Sequence, residues 1–412
     1  MDDVVLSLKP RFSQRLPRPP WQVLAWEHEE TLLDTHCDRR RRCRRRSLQA
    51  AEGRPDGARR LVEGRLPQAE HQRLEPGLTR VAVLGSGGAT ALLAAVLKED
   101  PDVDGVVRKD DLRSAVGDTD IIIGPWVENP GEARDTALAA MAAGKPYISP
   151  SSSPDVVEAL LGLDAQARAA DTLVITGMGW SPGITNLMVK SAVGSLDAAH
   201  KARIGWVASS GGSMSQVALN RALGLLTGDA LIYEAGTRQS EPAGERPERI
   251  FFPEPVGWRN LRLARAAEPL SLTASFPGLT EIVVKGGLTD PLTEGVLRSA
   301  SRVPGYGALS SRALSDKLVR AAGKVKPGTI PWSAVRVDVT GTKDGREETV
   351  TYGLVDQLPN LLVAPLVVAV QMLAGGLRAA TGAMAPEAVF EPSDFFGRLA
   401  YRGVRLAALQ RA

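Results

Sequence analysis

Arg80-Val81-Ala82-Val83-Leu84-Gly85-Ser86-Gly87-Gly88-Ala89-Thr90-Ala91-Leu92-Leu93 begins with a short apolar run, passes a glycine-rich turn and enters a helix-forming stretch. Such a run reads as a buried strand, and Ala89 to Leu97 as a helix. Gly85 allows a tight turn and Gly87 lets a backbone approach a diphosphate. Ser86 and Gly88 complete a loop whose N–H groups sit at the positive end of the helix. The third glycine of the full dinucleotide fingerprint is replaced by Thr90.

Downstream, strands and helices alternate. Asp120 to Gly124 reads as a strand, Ala133 to Ala143 as a helix closed by Gly144, and Tyr147-Ile148 as a strand. Pro154 to Ala170 reads as a helix and Thr172 to Ile175 as another strand. This alternation predicts a parallel sheet covered on both faces, a Rossmann-like α/β domain over 79–199. About 40 residues separate the first strand from Ile121, whereas each βαβ unit takes roughly 30. There is room for one strand near Gly105-Val106-Val107 and a brief helix at Leu112 to Val116, so the domain is shortened by a strand–helix unit.

Beyond residue 200 the pattern changes. Ala202 to Val207 and Glu281 to Lys285 read as strands, and Met214 to Leu226 as a helix. Val335, Val337 and Val339 alternate with polar residues, and a Lys343-Asp344-Gly345 turn leads to Thr349 to Tyr352, a hairpin with one wet face. Residues 200–355 are expected to form a mixed α+β substrate or dimerisation domain. Over 356–412, helices at Ala364 to Leu377 and Pro392 to Leu409 are expected to return to the first domain.

Residues 1–78 differ in kind. Pro10, Pro17, Pro19 and Pro20 precede the arginine run Arg39 to Arg46, and apolar periodicity is weak. The segment reads as a disordered or mis-assigned leader, with a basic arm as the other reading. The net charge of +3 over 412 residues does not argue for a nucleic-acid partner. Both cysteines, Cys37 and Cys43, lie in this leader, and from residue 79 onward the only histidine is His200. Zinc chemistry and Cys–His nucleophilic catalysis therefore have no basis in the body, and a metal-free site is expected. The apolar run Leu361 to Ala374 contains Pro365 and is shorter than the roughly 18–20 residues of a membrane span. With no apolar segment at the N-terminus, a cytoplasmic location is expected.

Gly177-Met178-Gly179-Trp180-Ser181-Pro182-Gly183-Ile184-Thr185-Asn186 follows a strand and precedes a helix. It resembles the glycine–proline–glycine–asparagine motif of the saccharopine dehydrogenase family. Gly144-Lys145-Pro146-Tyr147, Phe252 to Gly257, Phe276-Pro277-Gly278, Val284 to Gly287 and Pro386-Glu387 resemble other segments of that family in the same order. The resemblance covers roughly 80–412. It implies an NAD(P)-dependent oxidoreductase moving hydride to or from the C–N bond of an amino acid or amino-acid-derived imine. It also implies a homodimer. The alternative is a degenerate relative that keeps the fold as a binding or assembly module.

Within that resemblance, Gly85, Ser86, Gly87, Gly88, Arg108, Pro125 and Trp126 are the expected cofactor contacts. Arg108 and Lys109 favour NADP over NAD, while Asp110 in the same zone suits NAD, and a solvated charged turn is the other reading. Trp180, Pro182 and Gly183 are expected at the substrate. Asn186 is expected to bond a substrate carboxylate or amine, or else to cap backbone. Glu128 is the nearest proton-transfer group, or an exposed loop glutamate. Ser149 stands where the family commonly has an aspartate; it can hydrogen-bond but is no carboxylate base. Arg203, Arg221 and Lys285 are further candidates to pair a substrate carboxylate.

Overall fold

The computed structural model describes residues 21–25, 79–109, 117, 119–209, 224–289, 332–377 and 381–411. The Arg39 to Arg46 run, Asp110, the Leu112 to Val116 helix, Arg221 and most of the Met214 to Leu226 helix lie outside them.

In chain order, β1 (Trp21–Ala25) is followed by β2 (Thr79–Leu84), α1 (Gly88–Lys98), β3 (Val103–Lys109), β4 (Ile121–Ile123), α2 (Pro130–Ala142) and β5 (Tyr147–Ile148). Next come α3 (Pro154–Leu161), α4 (Asp164–Ala169), β6 (Leu173–Ile175) and α5 (Ile184–Val193). One helix expected over Pro154 to Ala170 is thus two, because the first ends at Gly162. Asn129 starts α2 firmly: its side-chain oxygen accepts from the N–H groups of Gly131 and Glu132, and Pro130 opens the helix.

The strands β15 (Gly382–Met384), β6, β5, β4, β2 and β3 pair in that order, all parallel. The first two strands of the domain, β2 and β3, are neighbours, and β3 ends the sheet, as the missing strand–helix unit requires. Val81, Val83, Ile121, Ile123 and Ile175 pack with α1 and α5 on one face. Ala82, Leu84, Ile122, Tyr147 and Val174 pack with α2, α3 and α4 on the other. The sheet is doubly wound, and its strands are apolar throughout because both faces are covered.

The second sheet is mixed, in the order β1, β16 (Ala407–Arg411), β14 (Arg346–Gln357), β13 (Trp332–Lys343), β7 (Ala198–Ala208), β12 (Glu281–Leu288), β11 (Gly257–Leu263) and β10 (Glu248–Phe252). The hairpin of β8 (Asp229–Glu234) and β9 (Thr237–Pro242) joins through β12. β7 and β12 are parallel, and the other pairs are antiparallel. The expected β13–β14 hairpin forms with Lys343 opposite Arg346, and Asp344 and Gly345 both take positive φ. Ile282, Val284, Val335, Val337 and Val339 turn into the same core as α5 and α7 (Leu358–Ala374).

Two expectations are corrected here. The helix expected over Pro392 to Leu409 stops at Tyr401, giving α9 (Pro392–Tyr401) after the short α8 (Pro386–Val389), and the chain then forms β16. Within the expected leader, Trp21–Ala25 is a strand paired antiparallel with β16. The helix α6 (Glu268–Ser275) links β11 to β12. Among the described residues no helix is long and apolar enough to cross a membrane.

Candidate functional site

β2 lies between β3 and β4, so the chain leaves it towards one neighbour and returns on the other side. Such a switch point opens a crevice at the carboxyl ends of the strands. Gly85 stands there with φ +104°, and a Cβ on it would lie 3.4 Å from Pro125 Cβ, so the loops after β2 and β4 touch. Ser86, Gly87 and Gly88 are exposed, and nothing lies within 4 Å of a Cβ built on either Gly87 or Gly88. The first turn of α1 holds no acidic residue. An open, glycine-lined loop at the positive end of a helix fits an anionic diphosphate. Thr90 is buried, its hydroxyl 3.5 Å from a Cβ on Gly85, so the departure from glycine fills the space behind the loop and leaves the cradle open.

Arg108 is exposed near the end of β3, opposite Val83. That places it on the β3 side of the crevice. Pro125 and Trp126 are half-buried just past β4, and Trp126 leans on the main core. Glu128 is exposed. Ser149 is only 1% exposed, and its hydroxyl accepts from the Ser151 N–H at 3.4 Å. Ser149 therefore lies beneath the edge, at the end of β5. Ser151 in turn donates to the Val127 carbonyl at 2.8 Å, tying the loops after β4 and β5 together.

The Gly177–Gly183 turn follows β6. Met178 N–H donates to the Ser149 carbonyl at 2.9 Å, which holds the turn against the end of β5. Gly183 has φ +120°, and a Cβ there would overlap the Gly179 backbone, so no other residue fits. Trp180 is half-buried and packs edge-on to Trp206 of β7, with ring centres 6.1 Å apart. Pro182 and Gly183 are buried, so they shape the wall of the cleft from behind.

Asn186 is fully buried and its amide is committed. Its oxygen accepts from Gly183 N–H at 3.1 Å, and its nitrogen donates to Ser271 Oγ at 3.0 Å and Glu387 Oε2 at 2.9 Å. The expected substrate contact is corrected to a capping role, because neither end of the amide reaches the cleft.

Two carboxyl groups that the motifs left unassigned complete this region. Glu268 is fully buried, and its Oε1 accepts from Ser181 Oγ at 2.6 Å and Thr185 Oγ1 at 2.9 Å. Its Oε2 is buried with no hydrogen-bond partner. Glu387 is 2% exposed and also accepts from Ser275 Oγ at 3.3 Å. Burial pushes both carboxyls above the usual range, and the hydroxyl and amide donors only partly offset this.

Arg203 and Lys285 are not at the cleft. They flank a charged concavity of about 630 Å³ on the face of the second sheet opposite Trp206 and Val284, and both pair with Glu248, at 3.5 and 2.6 Å. Among the described residues no cluster of three His, Cys, Asp or Glu could hold a metal ion.

The sequence matches no protein-family model and no curated protein. Its structure is similar to apo saccharopine dehydrogenase (L-Glu forming) of Saccharomyces cerevisiae, with a TM-score of 0.55 and 15% identity over 81% of this chain and 99% of that one. It also aligns with DAP dehydrogenase of C. glutamicum in complex with DAP, with a TM-score of 0.40 and 16% identity over 77% of this chain and 95% of that one. An engineered D-amino acid dehydrogenase bound to NADP+ gives a TM-score of 0.41 and 15% identity over 77% and 96% of the two chains. At such identities the likeness is one of architecture: this chain has the fold of saccharopine dehydrogenase, as its motifs implied.

Proposed function

We propose that the chain is an NAD(P)-dependent oxidoreductase that moves hydride to or from the C–N bond of an amino acid or amino-acid-derived imine. The observation that carries this reading is the open cradle of Gly87 and Gly88 at the switch point of a doubly wound sheet. When bound, a nicotinamide dinucleotide supplies or accepts the hydride. The residues of the chain do the rest. Gly85, Ser86, Gly87 and Gly88 seat the diphosphate by backbone N–H groups. Arg108 meets the adenosine ribose and favours its phosphorylated form, NADP. Pro125 and Trp126 wall one side of the reactive ring, and Trp180 the other, held from behind by Pro182 and Gly183. Ser149 supports the floor of the cleft. Glu128, an exposed carboxylate just past Trp126, exchanges a proton with the substrate nitrogen. We further propose that the substrate is amino-acid-like and that the working form is a homodimer.

Titration of the full chain with NADPH and NADH, read by tryptophan fluorescence, tests this reading. NADPH is expected to quench at micromolar concentrations and to bind more tightly than NADH. Replacing Arg108 with alanine should cost NADPH about tenfold in affinity and leave NADH unchanged. No quenching by either nucleotide would overturn the reading.

The buried state of Ser149 and Asn186 favours one second reading, a relative that binds the nucleotide as an assembly module without turning it over. Saturable NADPH binding combined with no nicotinamide absorbance change across a panel of amino acids and oxo acids plus amines would select it.

A further inference from the structure

The glycine cradle explains one end of the crevice but gives no part to Glu268. Burying a carboxyl group is costly, and an apolar residue of similar volume is often neutral or stabilising in its place. Holding the domain together is therefore a weak reason for a carboxyl here. What Glu268 does is specific: one oxygen takes hydroxyl hydrogens from Ser181 and Thr185, four residues apart on either side of Pro182 and Gly183. The turn already closes on itself through Gly179 N–H to the Pro182 carbonyl and Ile184 N–H to the Gly179 carbonyl, at 3.1 and 2.9 Å. Glu268 adds placement, fixing where the closed turn stands relative to α6. Asn186 and Glu387 anchor its far side from a segment 201 residues away in sequence.

The turn stands along the same edge as the cradle. Gly85 abuts Pro125, Val127 is bonded to Ser151, and Ser149 to Met178. A dinucleotide whose diphosphate sits after β2, with its adenosine towards Arg108 on β3, sends its nicotinamide the other way, towards β5 and β6. We propose that Glu268 is a positioning residue for the nicotinamide end of the cofactor, acting through Ser181 and Thr185 on the Pro182–Gly183 turn. This rests on the nucleotide-binding reading above.

The test compares two ligands on the full chain: NADPH, and 2′-phospho-ADP-ribose, which keeps the diphosphate and lacks only the nicotinamide. Glu268→Ala should weaken NADPH about tenfold and leave 2′-phospho-ADP-ribose unchanged. Glu268→Gln still offers an oxygen to both hydroxyls, and should stay within about threefold of wild type for both ligands. Ser181→Ala should shift NADPH in the same direction by less, and carries the test by the same criterion if Glu268→Ala does not fold. Equal loss for both ligands, or no loss for either, would make Glu268 a structural residue only and overturn the proposal. Wild type binding 2′-phospho-ADP-ribose as tightly as NADPH would overturn it too, with the cradle intact. Wild type binding neither ligand would overturn the nucleotide-binding reading, and this proposal with it.

Discussion

Gly87 and Gly183 both lie in loops before helices, yet the backbone demands different things of them. Gly183 sits at φ +120° with the Gly179 backbone where a Cβ would go. Gly183→Ala should cost about 3 kcal/mol, from positive-φ strain and overpacking together, read as a lower midpoint in urea unfolding. Gly87 has φ −72° and ψ 166°, open to any residue, with nothing within 4 Å of an added Cβ. Gly87→Ala should leave stability within about 0.5 kcal/mol and still weaken NADPH about tenfold, because the methyl group enters the space the diphosphate needs. The Gly85 to Gly88 loop was legible in the sequence because its signature is local. Glu268 was not: it stands alone in Arg265-Ala266-Ala267-Glu268-Pro269, and its partners lie 83 and 87 residues earlier. Asn186 was half legible, since an asparagine in the first turn of a helix suits a cap as well as a ligand.

At the scale of elements, α5, α6 and α8 meet at a joint that holds both Glu268 and Glu387. Burial raises both carboxyls in the folded chain, so the folded state binds protons that the unfolded state releases. Their contribution to stability is fully present below the unfolded value of about 4.3 and is lost as pH rises through the folded values. A Glu268→Gln, Glu387→Gln double variant should therefore gain stability relative to wild type as pH is raised from about 4.3. Unfolding midpoints measured across pH check the sign: a variant that loses stability relative to wild type as pH rises would refute it. The strand–helix alternation of the first domain could be read from apolar runs and glycine punctuation, and so could its missing unit. The strand β16 could not. Ala407-Ala408-Leu409-Gln410-Arg411 has helix-forming composition, but Gly403 turns the chain with φ +86°. Pairing with β1 and β14 then overrides propensity.

Over the whole molecule, the seam between the parallel sheet and the second sheet carries two kinds of polar contact. Arg238 with Glu158 and Arg265 with Asp155, at 3.0 and 3.1 Å, are exposed pairs of the kind that contribute about 0–1 kcal/mol. The buried joint around Glu268, Asn186 and Glu387 bears more on how the crevice is shaped. Sequence order could not give the strand order of the second sheet, because the parallel pairing of β7 with β12 is set by contacts about 80 residues apart. The claim on which the rest depends is that Gly85 to Gly88 seat a dinucleotide. Thermal unfolding of the full chain with NADPH and with NADH at 100 times the dissociation constant tests it most directly. The account predicts stabilisation by about 2.7 kcal/mol with NADPH, reduced to about 1.4 kcal/mol by Gly87→Ala at the same ligand concentration. An unfolding curve that neither nucleotide moves at millimolar concentration would contradict it.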